Sequence, residues 1–501
     1  MLITLLGFLD SPIGSDAQRS DSKGSHPRKD NDGKSIIVAY IKNRMNEKEI
    51  LRSMKKLESE CGCNVRHLPH VGAFILTYRR GMTVAATQLQ LDSSVMKACD
   101  DGIIRINPPK NTKKYNGKDY ERSFFKSSST SYFRNNEIDD AKLDKRLIYE
   151  EPRNISIRQT PSDPNFNLQW PLANLDNNAD INAQSGWDEY LFDPVGALST
   201  CHAVTIAVID TGIDYNHPDL ASVMWLNQDE IPADGIDNDG NGIVDDIHGA
   251  DFSSLPSING DPMDGNGHGT HCAGIIAAEE NNDIGIAGVA SYTQGKVRIM
   301  AIKGLSDSGL GSLNGLLTGL NYALEKGAKI SSNSWGSLGW NSAWDPVWST
   351  VLQNNPQHIM VAASGNQGLT LNQINKRLLC SLDEPNLLCV GSSNKNNQAS
   401  SFSNIGKEIV HVFAPGQNIY STDIANSYSY KTGTSMACPH ASGLAGLILS
   451  MRDKLIGQDV RQLIECGVSK RKHYKELVSS GGLIDVFHTI RVLYHNRSLL
   501  L

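Results

Sequence analysis

Residues 204–214 read Val204-Thr205-Ile206-Ala207-Val208-Ile209-Asp210-Thr211-Gly212-Ile213-Asp214. The run from Val204 to Ile209 lacks the polar alternation of a half-solvated strand, so it is expected to be covered on both faces. Strands of that kind belong to parallel sheets joined by helical crossovers. The chain beyond Asp163 keeps that rhythm, with HGTHCAGIIAA (268–278), VRIMAIK (297–303), LNGLLTGLNYALEKG (313–327), KISSNSWG (329–336), IMVAASGN (359–366), LLCVGSS (387–393), IVHVFAPG (409–416) and SMACPHASGLAGLILSMR (435–452). The expectation is an α/β domain over 163–496, with a mostly parallel sheet flanked by helices and its functional centre at the carboxyl ends of the strands. Residues 497–501 are read as a tail.

A chain of 501 residues exceeds what one core usually organises, so a second, smaller unit is expected. Residues 35–109 supply it. SIIVAYI, NVRHL, AFILTYRR and GIIRI are β-type runs, and NEKEILRSMKKLESE carries Ile50, Met54 and Leu57 at helical spacing. With TVAATQLQLDSSV as a second helix, the order is β-α-β-β-α-β, a small ferredoxin-like α+β module. Residues 110–162 are polar and charged without periodicity, either a spacer or a processing segment.

The formal charge of -7 gives no overall pull toward nucleic acid, and no nucleic-acid partner is expected. In the leader, residues 1–34, LITLLGFL (2–9) is too short to span a bilayer but suits a secretory signal core. No later run reaches the ~18 apolar residues of a membrane helix, so no integral membrane segment is expected in the mature protein. Cys380 and Cys389 bracket a short loop and are expected to pair in an oxidising compartment.

Three stretches carry chemistry. Asp210 ends a buried strand, where a carboxylate needs a hydrogen-bond partner to offset its burial; alone, such a residue is more often a loop or metal ligand. DGNGHGTHCAG (264–274) crowds His268, His271 and Cys272 together. A metal site there is disfavoured, because zinc histidines on a helix usually use HExxH spacing. His268 is expected to face a cleft, with His271 and Cys272 turned inward. In TGTSMACPH (432–440), Ser435 opens a helix of small residues, where a lone serine would by default be a cap. Backbone N–H groups there also favour developing negative charge.

DTGID, NGHGTHCAG and GTSMACPHASG, in that order, resemble the three signature segments of the subtilisin-like serine proteases. The resemblance implies Ser435 as nucleophile, His268 as its base, Asp210 orienting the imidazole, and Asn366 of VAASGN as an oxyanion donor. It also implies a peptide-binding cleft edged by Ser334, Trp335 and Gly336 on one side and Gly309, Leu310 and Gly311 on the other, with Gly365 beside it. An extended peptide would add there as a strand. The module over 35–109 would be a prodomain that assists folding and inhibits intramolecularly, with self-cleavage between Asn107 and Asp163.

The insertion NQDEIPADGIDNDGNGIVDD (227–246) carries seven acidic residues from Asp229 onward. Asp237, Asp239, Asn241, Ile243, Asp245 and Asp246 resemble the first part of an EF-hand loop without its closing glutamate. Unneutralised, these carboxylates would repel one another, so Ca2+ is the expected cofactor. With the long prosegment, the insertion resembles an apicomplexan branch of the family. That likeness implies a secretory-organelle or extracellular enzyme acting on proteins in parasite egress or host-cell invasion. Two other classes stay open at this point: a catalytically silent, binding or chaperone-like chain of the same fold, and an acidic calcium-binding structural protein.

Overall fold

The structure, a computed structural model, describes residues 160–172, 178–192, 202–293, 295–337 and 344–495, with Lys55 and five amino-terminal strands. Residues 1–32 of the leader, residues 110–159 and, apart from Lys55 and Val95, the two helices expected in the amino-terminal module lie outside these residues.

Two compact units divide the chain: residues 1–102 with 341–355, and residues 103–340 with 356–501. In the first, β1 (Gly33–Tyr40), β2 (Asn64–Leu68), β3 (Ala73–Arg79) and β4 (Val95–Asp100) form an antiparallel sheet in the order β2-β3-β1-β4. The sequence reading gave the closing strand to GIIRI. VMKACD takes that place instead, because Ile103–Arg105 of GIIRI, here β5, pairs within the second unit.

The second unit is built on a sheet of β6 (Val204–Asp210), β7 (Gly249–Asp251), β8 (Val297–Lys303), β10 (Ile330–Asn333), β12 (Ile359–Ala363), β13 (Leu387–Ser393), β14 (Val412–Pro415), β17 (Ser469–Lys470) and β18 (Gly482–Leu483). Its order is β17-β18-β14-β13-β12-β10-β6-β8-β7, nine strands, parallel except at β17–β18. The sequence expectation of a mostly parallel sheet flanked by helices holds. Two short pieces, β9 (Leu310–Ser312) and β11 (Gly336–Ser337), flank β5, and β15 (Ile419–Asp423) pairs β16 (Ser427–Lys431) as a hairpin.

Strand β6 lies between β10 and β8, which explains its apolar run: every residue but Thr205 is buried. Helices α1 (His268–Ala277) and α3 (Thr434–Met451) are buried along their whole lengths, whereas α2 (Leu313–Glu325) buries only one side of its last turn. Small residues dominate α1 and α3, and this lets the two helices pack on each other and on the sheet. Ala273, Ile276, Ala437, Ala441 and Leu444 share one core with Ile206, Val208 and Val361. Burying each large aliphatic side chain there contributes about 1.5–3 kcal/mol. The two helix starts are thereby fixed beside the carboxyl ends of β6 and β10.

Candidate active site

Asp210 is fully buried at the end of β6, and its Oδ1 accepts a hydrogen bond from His268 Nδ1 at 2.7 Å. The same oxygen accepts the Thr211 N–H at 2.7 Å, while Oδ2 has no hydrogen-bond partner among the described residues. His268 opens α1. The preceding Gly267 has φ 90°, a left-handed conformation in which a side chain would also collide with Asp423. Asp264 caps this helix start: Oδ1 accepts the Gly267 N–H at 3.0 Å and Oδ2 the Thr270 N–H at 3.0 Å. The Gly269 N–H bonds Thr211 Oγ1 at 3.0 Å, which ties helix start to strand end.

His271 and Cys272 face inward, as the sequence suggested. His271 Nε2 lies 3.1 Å from both Ile419 O and Ser429 O on the β15–β16 hairpin. Two acceptors around one nitrogen require it to carry the proton. Burial, aided by the Lys431 charge, lowers the His271 pKa to about 3, so the ring is neutral. Ligand atoms of Cys272, His268 and Asp210 lie within 4.8 Å of one another. Burial first, then the Asp210 charge, raises the Cys272 thiol well above its usual range, which keeps it a protonated donor and argues against a thiolate metal site.

That donor has a use. Pro439 lies inside α3 and has no N–H for the carbonyl four residues back, that of Ser435. The freed carbonyl accepts Ser334 Oγ at 2.8 Å and Cys272 Sγ at 3.5 Å. Ser435 Oγ donates to Ser334 O at 2.9 Å, and among the described residues it makes no hydrogen bond to His268. Such bonds are often open in free enzymes and close around a substrate.

Asn366 follows β12. Its Oδ1 accepts the Thr434 N–H at 2.8 Å and Thr434 Oγ1 at 2.9 Å, which assigns the amide oxygen to that side and leaves Nδ2 as the donor opposite. Thr434 Oγ1 also accepts the Gly365 N–H at 3.1 Å. Gly365 has φ 102°, and a Cβ there would stand 2.6 Å from Asn404 Nδ2, so glycine is required. Ser334, Trp335, Gly336, Gly365, Asn366 and Ser435 line one pocket, together with Arg377. Trp335 is buried and forms part of that wall.

The expected cleft edges are β9, which contains Leu310 and Gly311 after a turn at Gly309, and β11, which starts at Gly336. Between them lies β5, antiparallel to both. Arg105 stands opposite Leu310 on one side and Gly336 on the other.

In the acidic insertion, carboxylate oxygens of Glu230, Asp239 and Asp246 lie within 4.8 Å of one another. Asp239 also bonds Lys326 and Asn227. Burial raises its carboxyl, but Lys326, Asn227 and the Asn241 N–H outweigh this and lower its pKa. Asp246 accepts Asn227 and Asn241 Nδ2 at 2.9 Å and Tyr322 OH at 2.7 Å. Asp237 bonds the backbone of Asn241 and Gly242; Asn241 Oδ1 bonds the Ile243 N–H; Asp245 Oδ2 bonds the Gly235 N–H. Asp245 Oδ1 is buried and has no hydrogen-bond partner among the described residues. The all-oxygen set of Glu230, Asp239 and Asp246 is of a kind that suits a hard cation. Glu230 was missed because it lies outside the alternating pattern and joins the cluster only through the fold of the loop.

Residues 202–479 match the Subtilase family. The chain belongs to that family. Over 336 residues this subtilase is 31% identical to subtilisin-like protease 1 of Plasmodium berghei, covering 62% of this chain and 54% of that one. Thermitase of Thermoactinomyces vulgaris is 35% identical over 291 residues, 58% of this chain and 86% of its own. The chain spans about half the length of its Plasmodium relatives, from 46% of the P. falciparum protein to 57% of the P. vivax protein. A protease structure from Pseudoalteromonas arctica shares the fold, with TM-score 0.52 at 22% identity, over 67% of this chain and 99% of that one. Among the described residues no helix is long and apolar enough to cross a membrane. Cys380 and Cys389 form a disulfide, as expected from their loop.

Sequence reasoning missed Thr434 and Asp264. TGTS and MDGN contain ordinary cap residues, and only the tertiary partners reveal which N–H groups they serve.

Proposed function

We propose that this subtilase is a serine endopeptidase that cleaves extended segments of proteins. The observation that carries the proposal is the 2.7 Å Asp210–His268 hydrogen bond, with Cys272 linking that pair to the Ser435 carbonyl at 3.5 Å. On binding of a peptide, Ser435 Oγ turns from Ser334 O to His268, gives its proton to the imidazole and attacks the scissile carbonyl. His268 then donates that proton to the departing nitrogen, while Asp210 stabilises the imidazolium. Asn366 Nδ2, with Oδ1 anchored by Thr434, donates to the developing oxyanion.

We further propose a calcium-stabilised zymogen. Glu230, Asp239 and Asp246 would hold the ion with the other acidic residues of the loop, and bound calcium would neutralise their mutual repulsion. Residues 35–109 act as prodomain and intramolecular inhibitor, a role supported by the pairing of β5 between the cleft edges. The likeness to Plasmodium proteins and the disulfide support a secretory-organelle or extracellular location, with a role in egress or invasion. Labelling by a fluorophosphonate, with loss in Ser435→Ala, tests the core of the proposal. A folded chain that is never labelled and hydrolyses no peptide is the silent relative instead.

A further inference from the structure

We propose that Arg377 sets the side-chain preference of the cleft, so that the enzyme cleaves on the carboxyl side of acidic residues whose carboxylate pairs with the Arg377 guanidinium. This rests on the peptidase function proposed above and gives that site its substrate class. The pocket beside the nucleophile is lined by Trp335 and Gly336 after β10, by Ala363 and Gly365 at the end of β12, and by Arg377. Ser435 and Asn366 also line it, whereas His268 is not among its described walls. The carbonyl under attack must sit between Ser435 Oγ and the Asn366 donor, and the leaving nitrogen must lie toward His268, which protonates it. The side chain that enters the pocket is therefore that of the residue whose carbonyl is attacked.

Among the described residues that line this pocket, Arg377 alone carries a charge. It is half-buried, and its side chain makes one hydrogen bond among the described residues, from Nη1 to Lys376 O at 2.9 Å. No carboxylate answers it there, and most donors of its planar fork stay open. The backbone that carries it is held in place. The Arg377 N–H donates to Ser381 Oγ at 2.8 Å, and the Ser381 N–H returns to Arg377 O at 3.1 Å. Leu378 and Leu379 are buried behind it, and Cys380 is bridged to Cys389 in β13. A second donor is oriented by Asn404, whose Oδ1 accepts the Leu369 N–H at 2.9 Å and whose Nδ2 donates to Gln367 Oε1 at 2.8 Å. Gln367 also lines the pocket, and with its oxygen so engaged it has its amide N–H groups left to give. A carboxylate accepts from both partners, and its charge opposes that of the guanidinium. A lysine side chain is repelled by Arg377. An apolar one strips water from the guanidinium without replacing the hydrogen bonds lost.

The test uses the full chain, counted by fluorophosphonate labelling, and otherwise identical peptides that carry glutamate, glutamine, leucine or lysine at one position. Cleavage is mapped by mass spectrometry. In the wild type, kcat/KM for the glutamate peptide should exceed that for its glutamine isostere by about tenfold, the scale of one charge-assisted pair in a partly exposed site. Arg377→Gln should bring the two near parity, and Arg377→Glu should favour lysine over glutamate. Raising the salt from about 0.05 to about 0.5 M should shrink the wild-type preference through screening. Equal wild-type rates for glutamate and glutamine overturn the inference, and this result needs no variant to fold. A glutamate preference that persists in labelled Arg377→Gln also overturns it, as does scission on the amino side of the glutamate. A chain that is neither labelled nor active on any peptide defeats the peptidase proposal itself, whereas hydrolysis without the acidic preference defeats this inference alone.

Discussion

Replacing Thr434 by valine keeps its shape but removes the hydroxyl that donates to Asn366 Oδ1 at 2.9 Å and accepts the Gly365 N–H at 3.1 Å. One anchor of Asn366 survives, the Thr434 backbone N–H at 2.8 Å. The amide therefore stays near its place but is held less firmly. One neutral hydrogen bond contributes about 1 kcal/mol net, equivalent to about fivefold in rate. Because the oxyanion exists only beyond the ground state, the loss should fall on kcat, with KM nearly unchanged. The half-buried Gly365 N–H loses its acceptor, which should also lower stability by about 1 kcal/mol. The assay is peptide hydrolysis by Thr434→Val in two backgrounds, native and Asn366→Ala, with folding checked by urea denaturation. If Thr434 acts through Asn366, its substitution changes kcat by less than about twofold once Asn366 is gone. An equal fivefold loss in both backgrounds refutes the anchoring argument, as does an unchanged kcat in the folded single variant.

Calcium chelation should lower the thermal midpoint of the wild-type chain but not that of Asp246→Ala; an ion at about 100 times its Kd stabilises by about 2.7 kcal/mol. If chelation alters neither stability nor activity in the wild type, the loop holds no functional ion. Acid should destabilise the fold through buried neutral histidines. Burial lowers His358 and His440 each to about 4 and His271 to about 3, so the unfolded chain takes up protons first as pH falls below 6.5. Their contribution is complete above pH 6.5 and declines toward the folded values, by up to about 1.4 kcal/mol per pH unit for each ring. His358 donates through Nδ1 to Ala328 O at 3.1 Å and accepts Ser331 Oγ at Nε2, 2.9 Å away. Urea denaturation between pH 7.5 and 5 should show a shallower pH slope in His358→Gln, and an unaltered slope counts against this assignment.

By itself, the sequence determined the parallel α/β sheet, because apolar runs such as VTIAVID can be satisfied only between two covered faces. It also singled out Asp210, His268 and Ser435, since each stands at a strand end or helix start where backbone geometry constrains the residue type, whereas Asn366 entered only through the resemblance. Resemblance, rather than spacing, joined them into one set. Tertiary structure alone decided what depends on register and on partners distant in the chain. The carbonyl freed by Pro439 is satisfied by Ser334 and Cys272, residues 101 and 163 positions away from Ser435. Glu230 meets Asp239 and Asp246 only when the insertion folds back on itself. GIIRI is as good a strand in one sheet as in another. Its apolar pattern says that it pairs, but backbone hydrogen bonds carry no label for their partner, and only the tertiary structure shows that it pairs with β9 and β11.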